Sequence, residues 1–255
     1  HREKTSRYRT FLRQSLAAVA GEALRNLRTA KVEYGVGEAT FAVDRRALVT
    51  QVLQGSQTAT ARHVPPGLGG YPDLATPDVF DAEAARALLA AAGYPGGRGF
   101  PVLELDGWTQ TPVLEAIQAM WKTHLGIDTR IQLREAKVHQ TALTTGGFDI
   151  GFMTAIPDVA DAADLLKDFR TGAPANYPQW SDADFDALLA AADRAAKAED
   201  RTRALVAAEA RLLHEAPVAP LYFNRQTFLV APRVRGWKAD ALWTRFYKNV
   251  SLHEP

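Results

Sequence analysis

Between Pro101 and Met153 the hydrophobic period of the chain switches four times, and this alternation restricts the fold more than any other feature. The run PVLELDGW reads as a strand, with Val102, Glu104 and Asp106 on one side and Leu103 and Leu105 on the other. Thr111 to Leu125 reads as a helix. Pro112 suits its first turn, Leu114, Ile117, Trp121 and Leu125 share one stripe, and Gly126 stops it. IDTRIQLRE is a second strand, with Ile127, Thr129, Ile131 and Leu133 on one side, and Lys137 to Thr145 fits a short helix. FDIGFM is a third strand, apolar nearly throughout, as a strand covered on both faces should be. Strands alternating with helices in this way predict an α/β layer with crossover helices.

The flanks are helix and loop. ATFAVDRRALVTQVLQ (39–54) puts Phe41, Leu48, Val52 and Leu53 near one face of a helix that Gly55 ends. Residues 61–79 hold Pro65, Pro66, Gly67, Gly69, Gly70, Pro72 and Pro77, a density that fits a loop wrapping over a surface. Asp81 caps the next helix, with Ala84, Leu88 and Ala91 on one side and Gly93 as its stop. PGGRGF (95–100) is a turn cluster. Beyond the third strand, a helix begins over Asp161–Phe169 and a loop carries Trp180. Ser181 or Asp182 caps FDALLAAADRAAKA, and Asp200 precedes RTRALVAAEARLLHEA, which Pro217 and Pro220 end. LYFNRQTFLVAP and WTRFYKNVSL are strand-like.

Composition removes several functions. With 255 residues the chain can bury a full core, and a net charge of +1 gives no electrostatic reason to bind nucleic acid. The absence of cysteine excludes a thiol nucleophile, thiolate metal sites and a disulfide frame. Residues 1–31 carry eight Lys or Arg against two Glu, with apolar residues at helical spacing, which reads as a basic amphipathic helix. SLAAVA (15–20) is too short for the apolar core of a clear signal peptide.

Several segments, in order, resemble one family. AVDRRALV (42–49) is similar to a helix pattern A-[IV]-D-[RK]-x-x-[IL]-[IV]. A proline-rich crossing follows at HVPPGLGGY (63–71), then FDAEAARALLAAAGYPGGRGFPVLEL (80–105) and the helix-to-strand step WKTHLGIDTRIQL (121–133). FDI (148–150), PQWSDADFDALLAAA and RTRALVAAEARLLHEAPVAPLYF complete the series over roughly 39–252. This order resembles the extracytoplasmic solute-binding proteins of the oligopeptide/dipeptide class, which feed ABC importers. The resemblance implies a periplasmic-binding-protein-like α/β lobe, with a mixed sheet and helices on its faces. It implies a division into a basic segment of unassigned role (1–38), a third-lobe-like α/β domain (39–220) and strands returning to the first lobe (221–255). Members are a good deal longer, and two lobes close on the ligand; residues 1–38 do not resemble the rest of such a protein.

The same resemblance implies site residues. In oligopeptide-binding members the turn after F-D-[IV] reads R-A-G-W-x-x-D-Y, and its Asp takes the peptide's α-ammonium group. Laid on without gaps, Asp158 falls on that position, Phe152 replaces the basic residue and Ala155 the tryptophan. The family's E-W-K becomes Glu135, Ala136, Lys137, and Leu143 stands where an arginine is expected. Trp108, following the first strand, is a candidate cleft residue. The expected function is solute binding, with peptide as solute, in a periplasmic or extracytoplasmic location. ABC permease subunits are the expected partners, the protein a monomer, and no nucleic acid or cofactor is involved. The rival expectation is a truncated relative that acts as a scaffold or interaction module.

Other motifs point to no chemistry. Asp158, Asp161 and Asp164 lack the glycine and closing Glu of a calcium loop, so Asp161 reads as a helix cap and Asp164 as a first-turn residue. His1, His63, His124, His139, His214 and His253 are scattered without zinc spacing, GYPGGRG lacks the Lys-Ser/Thr of a phosphate loop, and no G-x-S-x-G elbow occurs. No metal and no enzyme activity are expected.

Overall fold

The computed structural model describes residues 42–74, 80–225, 229–238, 242 and 247–252. The basic segment 1–38, Phe41, Pro77 and Trp243 lie outside the described residues. The described residues divide into two compact units, one from residues within 1–44 and 79–153, the other from residues within 45–78 and 154–255. The stretch expected as a single domain, 39–220, contributes to both.

The first unit is the α/β layer. Helix α2 (Ala82–Ala91) leads into β2 (Leu103–Gly107), α3 (Thr111–Leu125), β3 (Thr129–Leu133), α4 (Ala136–Thr145) and β4 (Ile150–Gly151). The three strands run parallel in the order β3-β2-β4, with Leu105 opposite Ile131 on one side and Ile150 on the other. Helix α3 buries the expected stripe of Leu114, Ile117, Trp121 and Leu125, and Gly126 closes it in the left-handed conformation that glycine adopts without strain. Two expectations are corrected. Asp106, expected on one side with Val102 and Glu104, is wholly buried, while Val102 precedes β2 and is exposed; β2 is the central strand of its sheet. In α2 the buried residue is Ala85, and Leu88 is 61% exposed, so the face assigned from spacing is not the packed one. β4 is also shorter than FDIGFM: Phe152 adds one further bond to β2, from its N–H to the Asp106 carbonyl at 2.7 Å, and Met153 makes no ladder.

The second unit is mainly helical. Helix α1 (Arg45–Ala47) continues as a π-turn over Leu48–Val52, shorter than the 39–54 expected. β1 (Thr58–Ala59) pairs antiparallel with β5 (Tyr222–Phe223). Helix α5 (Ala162–Leu166) is followed by the hairpin of α6 (Ala183–Arg194) and α7 (Ala198–Glu215). Asp161 and Asp182 cap α5 and α6, accepting from Ala163 N and Phe185 N at 2.8 Å each. Helix α7 begins before Asp200, which lies in its first turn with Glu199, where negative charge meets the positive helix end. The proline-rich loop packs Val64, Leu68 and Tyr71 against Leu166, Phe185 and Leu212. A last antiparallel pair joins β6 (Val234–Arg235) to β7 (Ser251–Leu252).

Candidate functional site

In an open parallel sheet, ligands bind beyond the carboxyl ends of the strands, where successive connections depart to opposite sides. In the first unit the chain leaves β2 for β3 on one side and then crosses to β4 on the other, so that point lies between the ends of β2 and β4. Trp108 follows β2 and Phe152 follows β4, and both are partly buried. A Cβ added at Gly107 would come 2.8 Å from Leu114 Cδ1, so glycine is what lets β2 end against α3. The ladder extends past each strand, with Arg134 N donating to the Gly107 carbonyl at 2.9 Å.

A polar cluster sits under this edge. The Asp106 carboxylate is paired with Arg134 Nε. Burial raises the Asp106 pKa; Arg134 and His139 act against the rise, and Glu104 adds to it. His139, on α4, is 2% exposed, and its Nε2 lies 2.8 Å from the Phe152 carbonyl oxygen. The ring of Trp108 leans on the His139 ring with centroids 5.1 Å apart. Asp106, Arg134 and His139 were not singled out from sequence. The signal was there for Asp106, a charge inside an apolar strand run that only a buried partner makes tolerable.

Ala136 opens α4, exposed, where the Glu135 side chain accepts from Lys137 N at 3.0 Å. Leu143 is 2% exposed and faces Gly151 from inside the core. The structure therefore brings Trp108 and Phe152 to one edge, places Ala136 at the start of α4, and puts Leu143 inside.

Ala155 and Asp158 belong to the second unit and lie, exposed, on an irregular segment before α5. Asp164 organises that segment. Its Oδ2 accepts from Asp158 N at 2.6 Å and Val159 N at 3.3 Å, and its other oxygen pairs with Lys167. Burial works to raise the Asp164 pKa, but Lys167 and the two backbone donors outweigh it and hold the group below the usual range. Asp168 is pushed up by burial and by the charges of Asp164 and Asp158, against the pull of Lys167. Asp164 thus does more than favour a first helical turn. Among the described residues no cluster of three or more His, Asp or Glu is arranged to hold a metal, and no helix is long and apolar enough to cross a membrane.

The three-stranded parallel sheet thus carries Trp108 and Phe152 just past its strand ends, where open parallel sheets hold their ligands. Residues 39–177 match the model of the bacterial extracellular solute-binding proteins, family 5, middle region, and the chain belongs to that family. It is 28% identical over 220 residues to the oligopeptide-binding protein OppA of Bacillus subtilis, covering 82% of this chain and 40% of that protein. It is 28% identical over 226 residues to heme-binding protein A of Haemophilus influenzae, covering 83% of this chain and 40% of that protein. Among solved structures, a periplasmic oligopeptide-binding protein from Borrelia burgdorferi superposes with a TM-score of 0.75 at 27% identity, over 89% of this chain and 47% of that one. The chain thus spans about 40% of the length of the curated relatives it matches.

Proposed function

We propose that this chain forms part of the solute-binding component of an ABC import system, outside the cytoplasmic membrane, with a peptide as its solute and permease subunits as its partners. The observation that carries the reading is the family match over 39–177, on a fold shared with an oligopeptide-binding protein. Asp158 is the proposed partner of the peptide's ammonium group. Its carboxylate is exposed and its backbone is held in place by Asp164, as a preformed acceptor needs to be. Trp108 and Phe152 supply apolar surface at the sheet edge of the first unit. Nothing in this reading requires catalysis or a cofactor.

The test is calorimetry of the 255-residue chain with a mixture of short peptides. We expect binding heat that falls at least about tenfold in affinity in Asp158→Asn, as loss of a charge-assisted bond predicts. N-acetylated peptides should show the same loss. A folded chain that binds no peptide defeats the proposal and favours a non-binding interaction module.

A further inference from the structure

Helix α4 buries His139, Ala142 and Leu143, which stand at i, i+3 and i+4 and so share one face. Two of them are apolar, as a packed stripe asks. The third is an imidazole, 2% exposed, at a position where an apolar side chain would avoid the cost of desolvation. What His139 offers in exchange is a donor. The Phe152 carbonyl oxygen can only accept, so His139 Nε2, 2.8 Å away, carries the hydrogen and donates. Leu143, one turn on, meets Gly151, where an added Cβ would overlap its Cδ2. Helix α4 thus lies on the end of β4 in a fixed register, Leu143 on Gly151 and His139 on Phe152.

The same ring has a second neighbour. Trp108, just past β2, leans on it with centroids 5.1 Å apart and ring planes at 44°. The strand ladder reaches neither contact, since β2 ends at Gly107 and β4 at Gly151. Two bonds lie beyond those ends, from Arg134 N to the Gly107 carbonyl and from Phe152 N to the Asp106 carbonyl. Both hold backbone that precedes the Trp108 ring and the Phe152 carbonyl. His139 is held in its turn, because its own N–H donates to the Glu135 carbonyl at 2.8 Å, next to the Glu135 cap of α4. One buried side chain, fixed by its helix, therefore touches both residues that follow the strand ends.

We propose that His139 is a positioning residue of this sheet edge: its ring sets the face of Trp108 and its Nε2–H sets the Phe152 carbonyl, so that the two residues keep one spacing. The role rests on the reading of that edge as a solute site, and it does not depend on which solute enters. Fixing both residues before binding lowers the ordering cost that a ligand would otherwise meet. The ring and the donor are separable contributions. Glutamine carries an amide donor at the end of a side chain of similar reach and has no ring, whereas phenylalanine keeps a ring and has no donor.

The test separates the two in the full chain. Wild type should show a slowly exchanging His139 Nε2–H in nitrogen-15 spectra, and a bare Nε2 overturns the inference whether or not any variant folds. In His139→Gln, hydrogen exchange at the Phe152 amide should stay within about threefold of wild type, while the Trp108 indole resonance shifts because its ring neighbour is gone. In His139→Phe, the Trp108 resonance should hold its place and Phe152 exchange should speed up about tenfold. A mere filler of the core would move both reporters together in both variants, and that result overturns the inference, as does a pair of variants that moves neither. Calorimetry with the mixture of short peptides then reads the consequence. Each variant should weaken binding about threefold to tenfold, and unchanged affinity denies His139 a part in the site. A wild-type chain that binds no peptide defeats the solute reading, and the two reporters, which need no ligand, still decide what His139 holds.

Discussion

Asp106 and Glu209 are both fully buried carboxylates, one in each unit, and they are surrounded in opposite ways. Glu209, on α7, is saturated. Its Oε1 accepts from His63 N and Val64 N at 2.8 Å each, and its Oε2 accepts from the Tyr71 hydroxyl at 2.8 Å and from Arg62 Nη2. These donors all come from the proline-rich loop, whose described residues form no strand ladder. Asp106 has a single side-chain donor and a bare oxygen. A carboxylate whose lone pairs are all taken by loop donors fixes that loop, and one that meets a single guanidinium ties together the two strand ends that carry the pair. The first unit uses its buried charge to tie Arg134, after β3, to the end of β2, next to the candidate residue Trp108. The second uses its buried charge to pin a loop.

The largest effect should come from breaking the saturated site. Glu209→Ala leaves Arg62 charged without its partner and strips His63 N and Val64 N of their acceptor. Removing one partner of a buried ion pair costs about 3–5 kcal/mol, so urea unfolding should show a loss of that order.

Acid should separate the two units next. Burial holds the His63 pKa down to about 4 against an ordinary 6.5, with a hydrogen bond to the Leu165 backbone opposing. The folded state therefore binds fewer protons than the unfolded state. This contribution to stability is complete above pH 6.5 and is lost as pH falls through 4, amounting to about 3 kcal/mol. Unfolding midpoints of the second unit should fall across that window, and His63→Gln should flatten the slope.

Smaller effects sharpen the contrast. Gly69 sits at φ 58°, and a Cβ there would overlap the Ala160 carbonyl oxygen in front of the Asp158 segment. Gly69→Ala should cost about 1–3 kcal/mol from strain and displacement, read as a lowered melting temperature. Asp106→Asn should cost least, about 1 kcal/mol, because the amide keeps the shape of the side chain while the Arg134 pair weakens. A loss as large as that of Glu209→Ala would dissolve the distinction.

Elements with a local cause were legible in the sequence. Helix α3 carries its own stripe, its early proline and its terminal glycine, and it appears over Thr111–Leu125 as read. The caps Asp81, Asp161 and Asp182 each precede an apolar-periodic run and each accept the expected backbone bond. The errors have a common origin, since periodicity says which residues share a face but not which face is covered. Leu88 is exposed for that reason, and the burial of Asp106 could not be read from the alternation of its strand. The Glu209 clamp joins residues as far as 147 positions apart, and no local pattern announces it. Of the candidate site, Trp108 and Phe152 were singled out through strand order and resemblance, and the sheet places both at one edge. Arg134 and His139 were missed because their importance depends on the sheet bringing them to Asp106.

Hydrogen exchange mapped with and without a saturating mixture of short peptides puts the central claim to its most direct test. The account predicts new protection at Trp108–Thr109 and across Phe152–Asp158, with the Glu209-held loop of 62–71 unchanged. Protection confined to that loop, or none anywhere in a folded chain, would contradict it.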